Sequence, residues 1–288
     1  DYHGSMEAYF EAKMRLFDEI LQPESAAVVW LGDDDSEWSR QAEERAHNRA
    51  LRVLTVGERG DFIRLLARTP TQLGQMLEIE HEGASCTIKL PLIGAYQAAN
   101  ALTACALAIA TGASPSQVFD AAGRLQPVRG RLERAVITAQ GAPVYVDYAH
   151  TPDALEAAIA ALRPHVEGKL ITVLGAGGDR DQGKRAAMGE AAAKDSELVI
   201  VTDDNPRGED PATIRAAVLE GAPDAHEVAD RRDAIAEAIR QAGGEDIVLV
   251  AGKGHEQGQI IGSGDNMRVL PFDDVQFARE CAAAEAQA

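Results

Sequence analysis

Residues 170–180 read LITVLGAGGDR, and this stretch decides the fold of the chain. The residues LITVL predict a buried strand, the glycine-rich run predicts a loop, and a helix is expected from about Gly183. The same order recurs along the second half of the chain, which predicts a parallel sheet covered by helices. The other predicted strands span residues 144–146, 198–202, 226–228 and 247–251, and the other helices start near Pro152, Pro211, Arg231 and Asp273.

The first half of the chain has a less regular α/β pattern. The predicted elements, in order, are a helix at 6–21, a strand at 26–31, a helix at 37–49, a strand at 51–56, antiparallel strands between 60 and 92, and a helix at 96–111. A second helix is expected to begin at Pro115, with Ser114 as its cap. Residues 125–135 are expected to form a hinge, because the pattern changes after them.

Composition limits the classes of function. The 288 residues suit two domains, and a net charge of -18 argues against nucleic acid and anionic membrane surfaces as partners. No apolar run approaches the length needed to span a membrane. The three cysteines are Cys86, Cys105 and Cys281, whose spacing matches no metal site or disulfide framework. They predict a reducing cytoplasm, with Cys105 buried in its apolar helix.

Four loops that follow predicted strands are polar or rich in glycine. They lie at residues 147–150, 175–180, 203–207 and 252–256. Because ligands bind at the carboxyl ends of parallel strands, four such loops at one edge predict a ligand site there.

Common nucleotide motifs do not explain these loops. The glycines at 175–178 have the wrong spacing for the dinucleotide fingerprint, so NAD binding is not expected. Neither Gly-Lys pair, at 183–184 or at 252–253, is followed by the Ser or Thr of a P-loop. The chain therefore has no recognisable triphosphate cradle of its own.

The loop sequences resemble those of the Mur ligase family, and within it the members that add diaminopimelate. The matching runs, in order, are DYAHTPD at 147–153, GGDRD at 177–181, DNPR at 204–207 and GKGHE at 252–256. Residues 1–4, 11–13, 94–104 and 130–133 resemble the central domain of the same family. The resemblance covers essentially the whole chain. It implies the remainder of a central ATPase-type α/β domain at 1–130 and a Rossmann-like α/β domain for the amino acid at 131–288.

The resemblance implies an ATP-dependent amide ligase of peptidoglycan synthesis. ATP would phosphorylate the carboxylate of UDP-MurNAc-L-Ala-D-Glu, and the amine of meso-diaminopimelate would attack the acyl phosphate. The expected cofactors are ATP and Mg²⁺. The family's N-terminal UDP-binding domain, its Gly-Lys-Thr phosphate loop and a metal-binding histidine before Asp1 are absent from the sequence. The chain is therefore expected to be a piece of a longer protein and to be inactive alone.

Two residues are implied to be catalytic. Lys13 matches the lysine that is carbamylated in this family, a modification that would supply oxygen ligands to Mg²⁺. The alternative is a solvated helix lysine. Arg131 matches an arginine that contacts ATP phosphate, for which a planar guanidinium is suited. The alternative for Arg131 is a salt bridge in the hinge.

Three more residues are implied to contact the nucleotide. Asp147 and His150 match positions near the ribose and the adenine, and the alternative for both is capping of the helix at Pro152. Asn100 matches a nucleotide-side residue, and the alternative is a buried helix asparagine. Gln97 stands where the family often has Asn, which leaves its role open.

Six residues match the amino-acid pocket: Arg180, Asp204, Asn205, Arg207, Gly252 and Glu256. The resemblance implies that Arg207 and Asn205 hold the distal carboxylate of diaminopimelate, and that Glu256 holds its distal ammonium. Turn chemistry at Asn205-Pro206 is the alternative, but it does not explain Arg207 or Glu256.

Two other functions stay open. The chain could be a binding module that holds an amino acid and part of ATP without catalysing a reaction. It could also be a ligase of the folylpolyglutamate-synthase type, which shares the architecture, although the run DNPR at 204–207 argues against that type.

Overall fold

A computed structural model describes residues 4–71 and 73–286. The chain divides into two compact units, one that ends at Gln126 and one that begins at Pro127. Across the described residues, no helix has the length and apolar character that a membrane crossing requires.

The first unit contains a five-stranded sheet in the order β1-β2-β3-β4-β5. Its strands are β1 (Ala26–Trp30), β2 (Arg52–Gly57), β3 (Ile63–Thr71), β4 (Gly74–His81) and β5 (Ala84–Leu90), and its helices are α1 (Met6–Arg15), α2 (Glu37–Asn48), α3 (Ala95–Ala110) and α4 (Pro115–Ala122). Strands β1 to β3 are parallel, whereas β3, β4 and β5 pair antiparallel, as the alternating sequence predicted.

Helix α3 forms one side of the core of the first unit. Ala98, Leu102 and Cys105 recur at helical spacing on its buried face, and they pack in one cluster with Leu77 and Ile79 of β4. Burial raises the pKa of the Cys105 thiol to about 11, so this side chain acts as a small apolar residue. Its predicted burial is confirmed.

The second unit contains a six-stranded sheet in the order β10-β9-β8-β11-β7-β6. Its strands are β6 (Glu133–Ile137), β7 (Pro143–Asp147), β8 (Leu170–Leu174), β9 (Leu198–Val201), β10 (His226–Glu227) and β11 (Ile247–Ala251), and its helices are α5 (Pro152–Leu162), α6 (Lys184–Asp195), α7 (Pro211–Leu219), α8 (Arg231–Gln241) and α9 (Asp274–Glu285). All neighbours pair parallel except β6 and β7. The predicted parallel sheet is confirmed.

The central strands of this sheet are buried along their whole length. Every residue of β7, β8 and β11 is buried, as expected for a parallel sheet with both faces covered. Alternate residues, among them Val146, Val173 and Val250, pack in one cluster with Ile235 of α8 and Ala278 of α9. This packing holds the carboxyl ends of the strands at one edge.

Sequence reasoning missed three strands, and one predicted cap forms without its side chain. Strand β6 begins inside the predicted hinge, and residues 258–261 and 268–271 form an antiparallel hairpin, β12 (Gly258–Ile261) and β13 (Arg268–Pro271). Ser114 occupies the N-cap position of α4, but its side chain makes no capping hydrogen bond. Its hydroxyl lies 3.1 Å from Ser116 Oγ instead, so the predicted cap position is confirmed but Ser114 caps the helix without its side chain.

Candidate functional site

A cavity of about 260 Å³ opens at the carboxyl edge of the sheet in the second unit. The loops after β7, β8, β9 and β11 line it, and these four strands are neighbours in the sheet. The structure thus brings together the four loops that the sequence placed at one edge. The lining residues are Tyr148, His150, Gly175, Ala176, Gly177, Arg180, Lys184, Asp204, Asn205, Arg207, Gly252 and Glu256.

Two of the glycines in these loops have a structural reason, a positive φ at Gly252 and a close backbone approach at Gly178. Gly252 has φ +118, and a Cβ there would lie 3.2 Å from Asp204 Oδ2. At Gly178 a Cβ would lie 1.9 Å from the Pro206 carbonyl oxygen. Gly178 lets its loop pack against the backbone of Pro206, and Gly252 lets its loop turn beside the Asp204 side chain.

Arg207 is held at the cavity by hydrogen bonds of both its backbone and its side chain. Its backbone is left-handed, with φ +51, and its N–H donates to the Ile260 carbonyl at 3.0 Å. Its Nη1 donates to the Gly178 carbonyl at 2.9 Å. In residues 4–71 and 73–286, no carboxylate lies within 4.0 Å of Arg207 or Arg180. The cavity therefore presents two guanidinium groups that can pair with carboxylates of a ligand.

Asn205 stands behind Glu256. Its Oδ1 accepts from Lys253 Nζ at 2.8 Å and from the Ile260 N–H at 2.9 Å, and its Nδ2 donates to Glu256 Oε2 at 2.9 Å. Both ends of this buried amide are already engaged by protein groups. The geometry therefore supports a role for Asn205 in holding the Glu256 carboxylate. It gives less support to the expected contact between Asn205 and a carboxylate of the ligand.

A small aromatic surface lies beside the cavity. The ring centroid of Tyr148 is 4.6 Å from that of His150 and 5.0 Å from that of His255. Arg131 is exposed and its guanidinium lies 5.0 Å from the Tyr148 centroid. The ion pair of this segment is made by Arg129, with Asp273, so the alternative of a salt bridge at Arg131 is not supported.

Asp147 is buried at the end of β7. Its Oδ2 accepts from the Leu132 N–H at 2.7 Å. Burial raises the pKa of this carboxyl, although hydrogen bonds from the backbone N–H groups of Leu132 and Ala149 oppose the rise. Thr151, not Asp147 or His150, caps α5, because its side chain accepts from the Ala154 N–H. The capping alternative for those two residues is therefore wrong.

His150 and Lys184 both line the cavity. The His150 Nδ1 lies 2.8 Å from the Tyr148 carbonyl oxygen, and Lys184 Nζ donates to the His150 carbonyl at 2.7 Å. Lys184, Tyr148 and Lys253 were not predicted as site residues. Both lysines lie in Gly-Lys pairs that do not fit a P-loop, and Lys253 also lies in the run at 252–256 that resembles the family, but sequence reasoning assigned neither lysine a role.

The remaining predicted residues belong to the first unit. Lys13 is exposed on α1, and its Nζ lies 5.3 Å from the Tyr9 ring centroid. Asn100 is exposed on α3, so the alternative of a buried asparagine is wrong, and Gln97 is half-buried. Residues 1–3, which carry part of the family resemblance, lie outside the described residues.

The described side chains do not form a metal site by themselves. Within residues 4–71 and 73–286, no group of three or more His, Cys, Asp or Glu side chains could hold a metal ion. An unmodified Lys13 is a cation and cannot ligate Mg²⁺. The residues present therefore do not fit Mg²⁺ unless Lys13 is converted to an oxygen ligand.

Comparison with known proteins assigns both parts of the chain to the same family. A model described as the Mur ligase middle domain matches residues 1–108. A model described as Mur ligase, glutamate ligase domain, matches residues 130–254.

Individual relatives agree with the family models. The chain is 56% identical over 280 residues to UDP-N-acetylmuramoyl-L-alanyl-D-glutamate–2,6-diaminopimelate ligase of Zymomonas mobilis, covering 97% of this chain and 57% of that protein. It is 52% identical to the protein of the same name from Caulobacter vibrioides, covering 96% of this chain and 55% of that protein. The chain thus spans little more than half the length of these relatives. A solved structure with that name superposes with a TM-score of 0.71 at 34% identity, covering 100% of this chain and 58% of the other.

Proposed function

This chain belongs to the Mur ligase family, and we propose that it forms part of an ATP-dependent ligase that joins meso-diaminopimelate to UDP-MurNAc-L-Ala-D-Glu. The observation that carries the proposal is the charge pattern of the cavity. Arg180 and Arg207 line it without a carboxylate partner in the described parts of the chain, and Glu256 lines it as well. A ligand with both carboxylates and ammonium groups suits that pattern.

Diaminopimelate differs from lysine by a carboxylate at the far end of its side chain. In the proposal, Arg207 pairs with that carboxylate, because a guanidinium fork matches carboxylate geometry. Glu256 receives the distal ammonium. Arg180, Asp204 and Gly252 complete the pocket, and Asn205 acts through Glu256. Lysine would leave the charge of Arg207 unpaired, which disfavours it.

The nucleotide side of the proposal rests on Arg131, Asp147, His150 and Asn100. Arg131 would contact a phosphate of ATP, and the rings of Tyr148 and His150 offer an apolar surface for a base. In the reaction, transfer of the γ-phosphoryl group of ATP would turn the carboxylate of the dipeptide into an acyl phosphate and leave ADP. The amine of diaminopimelate would then attack the acyl carbon, forming the amide and releasing inorganic phosphate and a proton. The residues of this chain would hold the amine and neutralise charge.

Mg²⁺ enters the proposal only through Lys13. If Lys13 is carbamylated, it would supply the oxygen ligand that the described side chains lack, and the bound ion would neutralise phosphate charge. A cytoplasmic location remains a prediction from composition.

The test is the binding of amino acids to the chain, measured by isothermal titration calorimetry. We expect saturable binding of meso-diaminopimelate and much weaker binding of L-lysine and L-glutamate. Preferential binding of glutamate would contradict the proposal and favour a ligase of the folylpolyglutamate-synthase type. Equal binding of all three amino acids would indicate that the chain is an unselective binding module.

A further inference from the structure

Lys253 is a fully buried lysine in the wall behind the cavity. It follows Gly252 at the end of β11, and its side chain is 0% exposed. A buried ammonium is costly unless acceptors meet its three N–H groups. Its Nζ donates to Asn205 Oδ1 at 2.8 Å and to the Gly258 carbonyl at 3.0 Å, and it forms an ion pair with Asp204 Oδ1 at 3.0 Å.

These contacts determine which way the Asn205 amide points. Two donors, Lys253 Nζ and the Ile260 N–H, face one end of the amide, so its oxygen must lie there. The NH₂ end then faces Glu256 Oε2, to which it donates at 2.9 Å. The opposite orientation would set the NH₂ group against an ammonium and the oxygen against a carboxylate.

We propose that Lys253 is a positioning residue of the amino-acid site, which fixes the Asn205 amide and, through it, the carboxylate of Glu256. The inference rests on the proposed function only in that Glu256 receives an ammonium of the ligand. Lys253 need not touch the ligand, because its Nζ already donates two hydrogen bonds to the protein and is ion-paired with Asp204, although Asp204 Oδ1 accepts no well-aligned hydrogen bond from it.

The charges support the same role. Asp204 and Glu256 both lie near the ammonium, with the Glu256 Oε2 at 3.9 Å. Two carboxylates therefore share one cation. Lys253 holds them in one place without neutralising both, so negative charge remains to attract the ammonium of a ligand. Because the Glu256 side chain is 34% exposed, such an attraction is only partly screened by water.

The experiment measures the Kd of meso-diaminopimelate for Lys253→Met in two backgrounds, wild type and Glu256→Ala. Methionine keeps an unbranched side chain only one heavy atom shorter and removes the charge. We expect Lys253→Met to weaken binding on the order of tenfold or more in the wild-type background, since it breaks charged hydrogen bonds. In the Glu256→Ala background the same change should have little further effect, because the group that Lys253 positions is gone.

Two further variants keep the experiment decisive. Asn205→Ala breaks the same link without placing a new group beside Lys253, and it should show the same dependence on Glu256 even if Lys253→Met does not fold. Lys169→Met is the matched control, because Lys169 is exposed and precedes Leu170 at the opposite end of β8. It should bind diaminopimelate as the wild type does.

A nitrogen-15 NMR spectrum gives a readout that needs no ligand. The side-chain NH₂ signal of Asn205 should shift in Lys253→Met and stay in place in Lys169→Met. An unshifted Asn205 signal would overturn the inference, as would an equal loss of affinity in the two Glu256 backgrounds, which indicates a merely structural role. Absence of binding by the wild-type chain would instead contradict the proposed function, while the NMR comparison would still decide on Lys253.

Discussion

Arg231 and Asp274 form a bidentate ion pair in which neither side chain is exposed. Arg231 Nε lies 2.8 Å from Asp274 Oδ1, and Nη2 lies 2.8 Å from Oδ2. Nη2 also donates to the Ala251 carbonyl at 2.9 Å, at the end of β11. The pair therefore ties the starts of α8 and α9 to the strand that leads into Gly252 and the cavity.

Removal of one partner should strongly destabilise the second unit. Arg231→Met leaves the buried Asp274 carboxylate without its cation, and we expect a loss of about 3–5 kcal/mol in the free energy of unfolding. The double change Arg231→Met with Asp274→Leu should lose less than Arg231→Met alone, because no unpaired charge remains. Urea unfolding of the two variants measures the difference. A double variant that is less stable than the single one would contradict this account.

The pH dependence of stability should reveal the burial of Asp147. Burial raises the pKa of Asp147 above its ordinary value of 3.8, so the folded state favours the protonated carboxyl. The stability gained from that preference is fully present below pH 3.8 and is lost as the pH rises through the raised pKa.

The comparison variant is Asp147→Asn, which cannot ionise and whose side-chain oxygen can still accept from the Leu132 N–H. As the pH rises from below 3.8 to neutral, the wild type should lose stability relative to Asp147→Asn. Urea unfolding at a series of pH values checks this. A wild type that gains stability relative to the variant over that range would show that hydrogen bonds, and not burial, dominate the pKa of Asp147.

Carbamylation of Lys13 gives a prediction for the active ligase. Lys13→Ala should slow the reaction by at least about 10- to 100-fold, the cost typical for losing a group that merely orients a metal ligand, and added short carboxylates should restore part of the rate. With carbon-13 bicarbonate, the wild type should give a carbamate signal that Lys13→Ala lacks. An unchanged rate would show that the metal is held elsewhere.

The sequence correctly predicted the strands that are buried along their whole length. Strands β8 and β11 were placed at their observed bounds, because a short apolar run between polar loops has few other readings. The convergence of four loops followed from the parallel order of the strands. In contrast, every residue of β13 is exposed, so its hairpin leaves no burial pattern in the sequence.

The hydrogen bonds between side chains of the site could not be predicted from the sequence. Lys253 and Asn205 lie 48 residues apart, and their contact depends on the order of the strands in space. A lysine between two glycines looks like a solvated loop residue, since lysine is seldom fully buried without a partner. Only the structure shows that Lys253 has such partners, in Asn205, Asp204 and the Gly258 carbonyl. Likewise, the face of α3 that carries Asn100 proved to be exposed.

The central claim is that Arg207 makes the cavity selective for diaminopimelate. The most direct measurement compares the Kd values of meso-diaminopimelate and L-lysine for the wild type, Arg207→Ala and Arg207→Lys. The selectivity of the wild type should fall by at least about tenfold in Arg207→Ala, through loss of diaminopimelate binding without a gain for lysine. Arg207→Lys should recover only part of it, because a point charge cannot reproduce the fork. A selectivity that is the same in the wild type and Arg207→Ala would contradict the account, and Arg207 would then serve only to hold the Gly178 carbonyl.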